Sequence, residues 1–362
     1  MFLPLDSVAA TDYPAHSAIA ENDWHILAGF WHPVAYCHEI GEAPYPVRLL
    51  DVDLVVVRNQ TGLSVFKDQC PHRGARLSQG ESQSGLLVCP MHGLGFNDLG
   101  ECVRIPCLGP NAKFSPRRNL TRYLAAEKYG LLWVCLKPEP RQPLVDWPEL
   151  AQPQREPVYI ASGRWQASAA RHVENFNDVA HFPFVHTQTF GGEEDDPLPE
   201  YDVERTATGL AFQLPYRERV RMTAQGEPVS ADYALGQMQT RNVVYYYQLT
   251  LPFSSYIRVE CEDYPFINDI YDTVCPISAY ECQIFQIVTD SMGIENAEFW
   301  QSDTQKINEE DAPLVENQRP KALPLNLLDE VHLPCDRFSV AYRRVLAEMG
   351  LGRAVNQSAG VN

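Results

Sequence analysis

Two short pairs of cysteine and histidine constrain the fold of this chain more than any other feature of its sequence. Cys70 and His72 form a C-x-H pair, and Cys89 and His92 form a C-x-x-H pair, with sixteen residues, 73 to 88, between them. Such close spacing places each pair on one tight loop, so that two loop tips can hold a small inorganic group. The fold must therefore bring these two loops together.

Three kinds of metal site use such ligands, and the spacing favours one of them. A structural zinc finger places a C-x-x-C pair ahead of its paired histidines, which is not the order found here. A site made only of cysteine would need Cys102 and Cys107 and would give the two histidines no role. A [2Fe–2S] cluster with two thiolates on one iron and two imidazoles on the other uses both pairs. We therefore expect such a cluster.

The composition excludes several classes of protein. The 362 residues are 45% hydrophobic and 21% charged, as in an ordinary globular protein with room for two domains. The net charge is -18, whereas a nucleic-acid-binding protein needs a basic surface. The apolar runs are far shorter than the roughly 20 residues of a membrane helix, and the first residues lack a secretory pattern. The ten cysteines are too few for a disulfide scaffold. We therefore expect a cytoplasmic protein that binds neither nucleic acid nor membrane.

A proline-rich polar stretch, "KPEPRQPLVDWPELAQPQREP", separates two regions of different pattern. Before it lie short strands and turns, including a hairpin signal at Asn59-Gln60-Thr61-Gly62. After it lie helical segments on either side of a β-rich stretch. We predict an N-terminal extension, a cluster domain, a second domain and a polar tail, over residues 1–23, 24–145, 146–352 and 353–362 respectively.

The second domain contains a candidate iron-binding segment, "HVENFNDVAHFPFVH". Asn175, Asp178 and His181 recur every three residues, which places them on one face if the segment is a helix. His186 follows His181 by five residues, so we expect Pro183 to break the helix and let His186 turn back. Two neutral imidazoles need a third ligand, and a triad of two histidines and one carboxylate leaves positions open for O2 and substrate.

The candidate carboxylate lies in "KINEEDAPLVENQ". If this segment is a helix, its apolar residues define the buried face: Ile307, Leu314 and Val315. Asp311 shares that face, because it follows Ile307 by four residues. Glu310 lies close enough in angle to remain an alternative, and Asp303 is a more distant one.

Both segments resemble those of a known enzyme family. "CPHRGARLSQG" and "CPMHGLGF" look like the Rieske motif, and the chain from "GFWHPVA" to about "VENQRP" resembles Rieske non-haem iron oxygenases of the vanillate O-demethylase, dicamba monooxygenase and caffeine N-demethylase group. The resemblance implies an α+β fold, in which an all-β Rieske domain precedes an α/β catalytic domain whose helices cover an antiparallel sheet (helix-grip, START-like). It assigns Cys70 and Cys89 to the buried iron of the cluster, and His72 and His92 to the outer iron.

The resemblance also assigns the second metal centre. His181, His186 and Asp311 match the ligands of one mononuclear Fe(II) per subunit, in addition to the one [2Fe–2S] cluster. Asp178 matches a residue that bridges the two metal centres across a subunit boundary, and Asn175 matches a position beside the iron. The family assembles head to tail, so a homotrimer is implied.

The function implied is that of the terminal oxygenase in a multicomponent monooxygenase. It would use O2 to hydroxylate a C–H bond of a small aromatic, heterocyclic or N/O-methyl compound, and a hydroxylated methyl group on nitrogen or oxygen would leave as formaldehyde. No glycine-rich dinucleotide motif is visible, so a separate NAD(P)H-dependent reductase, with or without a ferredoxin, would supply electrons. The alternative is an electron-transfer protein without oxygenase turnover. Four arginines are candidate partners for a substrate carboxylate: Arg205, Arg217, Arg219 and Arg241.

Overall fold

The computed structural model of the chain divides into two compact units. The described residues are 13–60, 62–109, 115–152, 155–187, 189–193, 197–222, 237–263, 265–291 and 297–353. The first unit comprises Met1–Leu144 with Pro276–Ser278, and the second comprises Val145–Cys275 with Ala279–Asn362. Most of the expected N-terminal extension, Thr61 of the expected hairpin turn and nearly all of the expected polar tail lie outside the described residues.

The described residues of the first unit form one helix, two antiparallel sheets and short 3-10 turns. The helix, α1, is Glu21–Leu27, and the strands are β1 His32–Tyr36, β2 Tyr45–Leu49, β3 Val52–Asn59, β4 Gly62–Lys67, β5 Glu81–Gln83, β6 Leu86–Val88, β7 Gly95–Phe96, β8 Cys102–Arg104, β9 Arg122–Lys128 and β10 Leu131–Cys135. The larger sheet has the order β1-β10-β9-β4-β3-β2, and the smaller has the order β5-β6-β7-β8. The predicted hairpin is confirmed, because Asn59 of β3 pairs with Gly62 of β4.

A buried cluster of apolar side chains supports the two cysteine-containing loops. Cys70 and Cys89 are each 2% exposed and pack with Leu77, Leu94 and Phe96 in one hydrophobic cluster. Burying apolar surface stabilises a fold by about 25 cal/mol per Å², which favours this packing. The loops therefore begin from fixed positions in the core, while the residues at their tips reach the surface.

Within the part that the structure describes, the second unit has an eight-stranded sheet and four helices. Its strands are β11 Val158–Tyr159, β12 Gly163–Trp165, β13 Glu204–Arg205, β14 Gly209–Met222, β15 Gln237–Thr250, β16 Ser254–Cys261, β17 Phe266–Ser278 and β18 Glu281–Asp290. The order is β11-β18-β17-β16-β15-β14-β13, and β12 also pairs with β18. The helices are α2 Ala169–Phe176, α3 Phe182–Val185, α4 Ala297–Asn317 and α5 Arg337–Glu348. The predicted α+β fold is confirmed.

Strand β15 shows how the sequence directs side chains into this unit. Its segment "NVVYYYQLT" alternates, with Val243, Tyr245, Tyr247 and Leu249 buried and the residues between them more exposed. Side chains of a strand point alternately to opposite faces of the sheet, so the two tyrosines lie on the inner face. This face forms one wall of the cavity described below.

The single helix predicted over Asn175, Asp178 and His181 is wrong. Helix α2 ends at Phe176, and the residues from Asn177 to His181 are not helical. The Asn177 side-chain amide donates to the Val173 carbonyl oxygen at 2.7 Å and to Ser255 Oγ at 2.9 Å. An asparagine side chain that donates to a carbonyl of the last turn competes with the backbone N–H groups that would extend the helix, and so ends it. Periodicity does not reveal this competition. None of the described helices has the length and apolarity needed to cross a lipid bilayer.

Helix α5 was not predicted, and a buried network of charges joins it to α2. Arg343 of α5 contacts both oxygens of Glu174 of α2 at 2.6 and 2.8 Å, and it contacts Glu330 at 2.6 Å. Arg171 of α2 contacts Glu330 at 2.7 Å. Two positive and two negative groups thus alternate, which lets four charged side chains lie together with little exposure.

Replacing Arg343 by leucine is expected to lower the free energy of unfolding of the second unit by about 3 kcal/mol, because Glu174 and Glu330 then share one remaining cation, Arg171, at a little-exposed position. Urea unfolding measures this change. The exposed neighbour Arg344 provides a matched control, and Arg344→Leu should change the stability by less than about 0.5 kcal/mol. Equal losses in the two variants would show that the network does not stabilise the fold.

Candidate metal centres and substrate cavity

Three ligand atoms of the second unit converge on one point. His181 Nε2 lies 3.1 Å from His186 Nε2, and Asp311 Oδ1 lies 3.5 Å from the first of these atoms and 3.4 Å from the second. The two histidines flank the single-turn helix α3, and Asp311 is on α4. The three residues that the sequence predicted to act together are therefore adjacent in the structure.

The outer nitrogens of both histidines face carboxylates. His181 Nδ1 lies 2.9 Å from Asp178 Oδ2, and His186 Nδ1 lies 2.8 Å from Glu310 Oε2. Each carboxylate accepts a hydrogen bond from the ring N–H at Nδ1, which leaves the Nε2 atom of each neutral ring with a lone pair.

Asp311 Oδ1 is buried and has no hydrogen-bond partner. Three lone pairs that face one another within 3.5 Å repel unless a cation lies among them. One carboxylate and two neutral imidazoles on one side of the point are the donor set of an open Fe(II) site. The residues therefore fit the mononuclear iron.

The turn at Pro183 differs from the prediction. Pro183 lies in the first turn of α3, where its missing N–H costs no helical hydrogen bond, so it begins a short helix and breaks no long one. The His186 N–H donates to the Phe182 carbonyl oxygen at 3.0 Å, and the Gly191 N–H donates to the His186 carbonyl oxygen at 2.8 Å. His186 is thereby held between two backbone bonds at the end of this turn.

Helix α4 presents Asp311 from its buried side. Asp311 is 8% exposed and Val315 is 2% exposed, whereas Leu314 is 53% exposed. The prediction that Leu314 is buried is wrong, and helical periodicity did not reveal this, because 100° per residue places Leu314 only about 20° from Ile307. Glu310, the alternative candidate, contacts the outer nitrogen of His186 and does not point with Asp311 at the convergence point.

Glu310 has a role that the sequence did not reveal. Its Oε2 accepts hydrogen bonds from His186 Nδ1 at 2.8 Å and from Thr189 Oγ1 at 3.0 Å. Glu310 thus orients His186 as Asp178 orients His181, so each histidine has its own carboxylate. Its position directly before Asp311 was the only signal in the sequence, and periodicity assigned it no partner.

The variant Glu310→Ala is expected to weaken binding of Fe(II) about 10- to 100-fold, because His186 loses the group that fixes its tautomer and orientation. Competition with a chromophoric chelator measures the affinity, and Glu310→Gln should restore part of it. Glu309, on the exposed side of the same turn, supplies the control Glu309→Ala. If both alanine variants bound Fe(II) equally well, Glu310 would have no positioning role.

The two cysteine-containing loops of the first unit have the same backbone pattern. The Cys70 N–H donates to the Ala75 carbonyl and the Cys89 N–H donates to the Leu94 carbonyl, at 2.8 and 2.9 Å. Gly74, with a φ of 75°, stands in the first loop at the position that Gly93, with a φ of 69°, occupies in the second. Glycine adopts this left-handed conformation without strain. A β-carbon on Gly93 would also lie 3.1 Å from Pro106 Cγ.

The four side chains at these loops differ in exposure. Cys70 and Cys89 are buried, whereas His72 and His92 are exposed, with ring centroids 4.7 Å apart. Burial raises the pKa of Cys70 to about 11, and the adjacent Cys89 thiol adds to this shift. A cationic group at this position lowers such a pKa and stabilises the thiolates. The pattern fits a [2Fe–2S] cluster with its thiolate-bound iron inside and its imidazole-bound iron at the surface.

A cavity in the second unit opens beside the convergence point. Its described wall residues come from α2, α3, α4 and the inner face of the sheet, and they include His181, His186 and Asp311. Asn175 lines it, and so does His172, to which the sequence analysis assigned no role. No spacing connected His172 with this site, because its partner Asp272, at 3.0 Å, is one hundred residues away.

One of the four candidate arginines lies at the cavity. Arg241 lines its wall and contacts Glu218 at 2.5 Å. Arg205 is bound to Glu348 at the surface, and Arg219 is paired with Glu193. Of the four candidates, only Arg241 is one of the described wall residues, so only Arg241 is placed to face a bound substrate.

Two family models match the chain. Residues 30–122 match the Rieske [2Fe-2S] domain, and residues 165–351 match the vanillate O-demethylase oxygenase C-terminal domain. These matches, with the fold and the paired histidines, define the class as a two-domain iron oxygenase. The chain belongs to the Rieske non-haem iron oxygenases of the vanillate O-demethylase type.

Relatives of known activity resemble the chain over nearly its full length. It is 26% identical to the methylxanthine N1-demethylase NdmA of Pseudomonas putida over 344 residues, and 28% identical to the methylxanthine N3-demethylase NdmB of the same organism over 347 residues, covering 92% of both chains in each case. The structure of NdmA with caffeine matches with a TM-score of 0.76 and 26% identity, over 90% of this chain and 92% of that chain. Dicamba monooxygenase shares the fold, with a TM-score of 0.73 at 20% identity.

Membership of the family establishes the type of enzyme. The chain is the terminal oxygenase of a Rieske monooxygenase, with a [2Fe–2S] cluster and a mononuclear iron as cofactors. It acts on a small organic substrate with O2, and a reductase provides the electrons.

Proposed function

We propose that this oxygenase removes a methyl group from nitrogen or oxygen of its substrate, by hydroxylating the methyl carbon. Its ligands for the mononuclear iron are His181, His186 and Asp311, and its ligands for the cluster are Cys70, His72, Cys89 and His92. The observation that supports the iron site most directly is the convergence of three lone pairs, two of which are fixed by outer carboxylates. Relatives that demethylate methylxanthines support the choice of reaction.

The cluster supplies single electrons when bound, and the mononuclear iron supplies activation of O2. The reaction R–X–CH3 + O2 + 2 electrons + 2 H+ gives R–X–CH2OH and water, where X is nitrogen or oxygen. The hydroxymethyl product then loses its O–H proton and its C–X bond, releasing formaldehyde and R–XH. The protein orients the methyl group in the cavity, where Asn175 and Thr189 are polar wall residues beside His181 and His186.

We also propose that the enzyme is a homotrimer in which Asp178 joins the metal centres of two subunits. Asp178 Oδ2 accepts a hydrogen bond from His181 Nδ1, and its side chain remains partly exposed. The exposed His92 of the next subunit is suited to donate to the same carboxylate. Met91, beside His92, is 59% exposed, and Val331, which shares a surface groove with Asp178, is 90% exposed. These apolar surfaces are suited to cover one another.

The proposal also includes the electron donor and the cellular compartment. A ferredoxin carries electrons from the reductase to the exposed edge of the cluster, formed by His72 and His92. The enzyme works in the cytoplasm, which agrees with ten free cysteines and no disulfide among them.

Reconstitution tests the proposal. The purified enzyme, loaded with iron, is combined with the reductase and ferredoxin of a Rieske oxygenase system, NADH and a panel of N-methyl and O-methyl aromatic compounds. We expect one formaldehyde and one demethylated product per NADH and O2 consumed. Ring hydroxylation without formaldehyde would contradict demethylation.

A further inference from the structure

The one cationic side chain on the described cavity wall is paired with a buried carboxylate. Arg241 Nε donates to Glu218 Oε2 at 2.5 Å, and Tyr245 donates to the other oxygen of Glu218. Glu218 is 2% exposed, so this pair interacts with little screening. Arg241 is the only arginine or lysine among the described wall residues, and two more carboxylates, Asp303 and Asp311, share the wall. The cavity therefore offers an organic anion no unneutralised cationic side chain.

Uncharged polar groups of the same wall lack partners. The buried atoms without a hydrogen bond include Asn175 Nδ2, Asn268 Oδ1, Tyr247 Oη and His172 Nδ1. Asn268, Tyr247 and His172 are each less than 8% exposed. Buried polar groups are nearly always paired, and several unpaired groups around one cavity mark the place where a ligand completes them.

The tautomer of His172 can be assigned from its other nitrogen. His172 Nε2 lies 3.0 and 3.1 Å from the two oxygens of Asp272, which is fully buried and also accepts from Gln286. The ring proton therefore lies on Nε2, and Nδ1 is an acceptor. The unpaired set thus contains an amide donor, two acceptors and a phenol that can act as either.

Aromatic rings form much of the rest of the wall: Phe176, Phe182, Phe190, Tyr245, Phe266, Phe299 and Trp300. Ring faces of this kind favour a flat, aromatic ligand. The wall thus combines apolar surface, a few uncharged donors and acceptors, and a single cationic side chain whose charge Glu218 neutralises.

We propose that the substrate is an uncharged, flat, amide-bearing aromatic or heterocyclic compound, and that the Glu218–Arg241 pair excludes organic carboxylates. This inference rests on the proposed function, because it takes the cavity beside the iron ligands as the substrate site. The amide-type donors and acceptors of the ligand would pair with Asn175, Asn268 and Tyr247. Glu218 acts as a specificity-determining residue, since it cancels the charge that would otherwise attract an acid.

A matched pair of probes tests the proposal. 4-Methoxybenzamide and 4-methoxybenzoate have nearly the same shape and differ in charge at neutral pH. Calorimetric titration of the iron-loaded enzyme should show tighter binding of the amide by about tenfold or more. In Glu218→Gln the charge of Arg241 is no longer cancelled, so the affinity for the benzoate should rise about tenfold. The preference of the enzyme for the amide over the benzoate should therefore narrow or reverse.

A control variant removes a carboxylate partner from an arginine far from the cavity wall. Glu348→Gln breaks the surface pair with Arg205 and should leave both affinities unchanged. Tyr247→Phe should weaken binding of the amide alone.

The proposal would be overturned by wild-type enzyme that binds the benzoate as tightly as the amide or does not bind the amide. It would also be overturned by an unchanged preference in Glu218→Gln. Binding requires no turnover, so absence of formaldehyde in the reconstituted system would count against demethylation and not against this charge selection.

Discussion

The variant Asp178→Asn is expected to lose about 100-fold or more in turnover while it retains both metal centres. The carboxylate is proposed to accept hydrogen bonds from the ring N–H groups of His181 of one subunit and His92 of the next. An amide has a single acceptor oxygen and no charge, so it cannot replace the carboxylate in this role. The ligands themselves are unchanged, so iron content and the visible absorption of the cluster should match those of the wild type.

Two measurements separate loss of electron transfer from loss of structure. Stopped-flow mixing of the reduced enzyme with substrate and O2 follows oxidation of the cluster, which should become slow in Asp178→Asn. Asp202→Asn, which changes a carboxylate that is 95% exposed and paired with Arg337, should behave as wild type. Near-normal, coupled turnover in Asp178→Asn would rule out the bridging role.

The variant Asp311→Ala is expected to have no measurable oxygenase activity and to contain one iron fewer per chain. Asp311 is the only anionic member of the converging triad, and two neutral imidazoles alone hold Fe(II) weakly. We expect about two irons and two acid-labile sulfides per chain, against about three irons and two sulfides in the wild type. Elemental analysis and a sulfide assay give both values.

The cluster provides an internal control for Asp311→Ala, because it lies in the other unit of the chain. Its absorption and its reduction by dithionite should be unaltered. Glu309→Ala, which removes an exposed carboxylate two residues earlier on α4, should keep all three irons. An Asp311→Ala enzyme with three irons and activity would show that another residue is the third ligand.

Local sequence was sufficient to predict the parts of these sites that lie on single loops or turns. Each of the loops of Cys70 and Cys89 is closed by its own backbone bonds, so short spacing identified them. His181 and His186 flank one turn, and their proximity was predicted from a break at Pro183, although the helix was predicted in the wrong place. Helical periodicity favoured Asp311 only slightly over Glu310, and the resemblance to the family strengthened that choice.

Contacts between distant segments could not be predicted in this way. His172 pairs with Asp272 and Arg343 pairs with Glu174, across separations of one hundred or more residues. The contact between Glu310 and His186 depends on how α4 is rotated about its axis against the turn that carries His186. No pattern in "NEED" indicates that rotation. The balance of Glu218 against Arg241 required the register of β14 and β15, which places these two residues opposite one another.

The most direct test of two distinct iron centres is a pair of anomalous difference maps from crystals of the purified enzyme, with data collected just above and just below the iron K edge. We expect iron peaks between the loops of Cys70 and Cys89 and among His181, His186 and Asp311, each vanishing below the edge. Density at the cysteine loops that persists below the iron edge and marks zinc, or the absence of a peak among the three converging ligands, would contradict it.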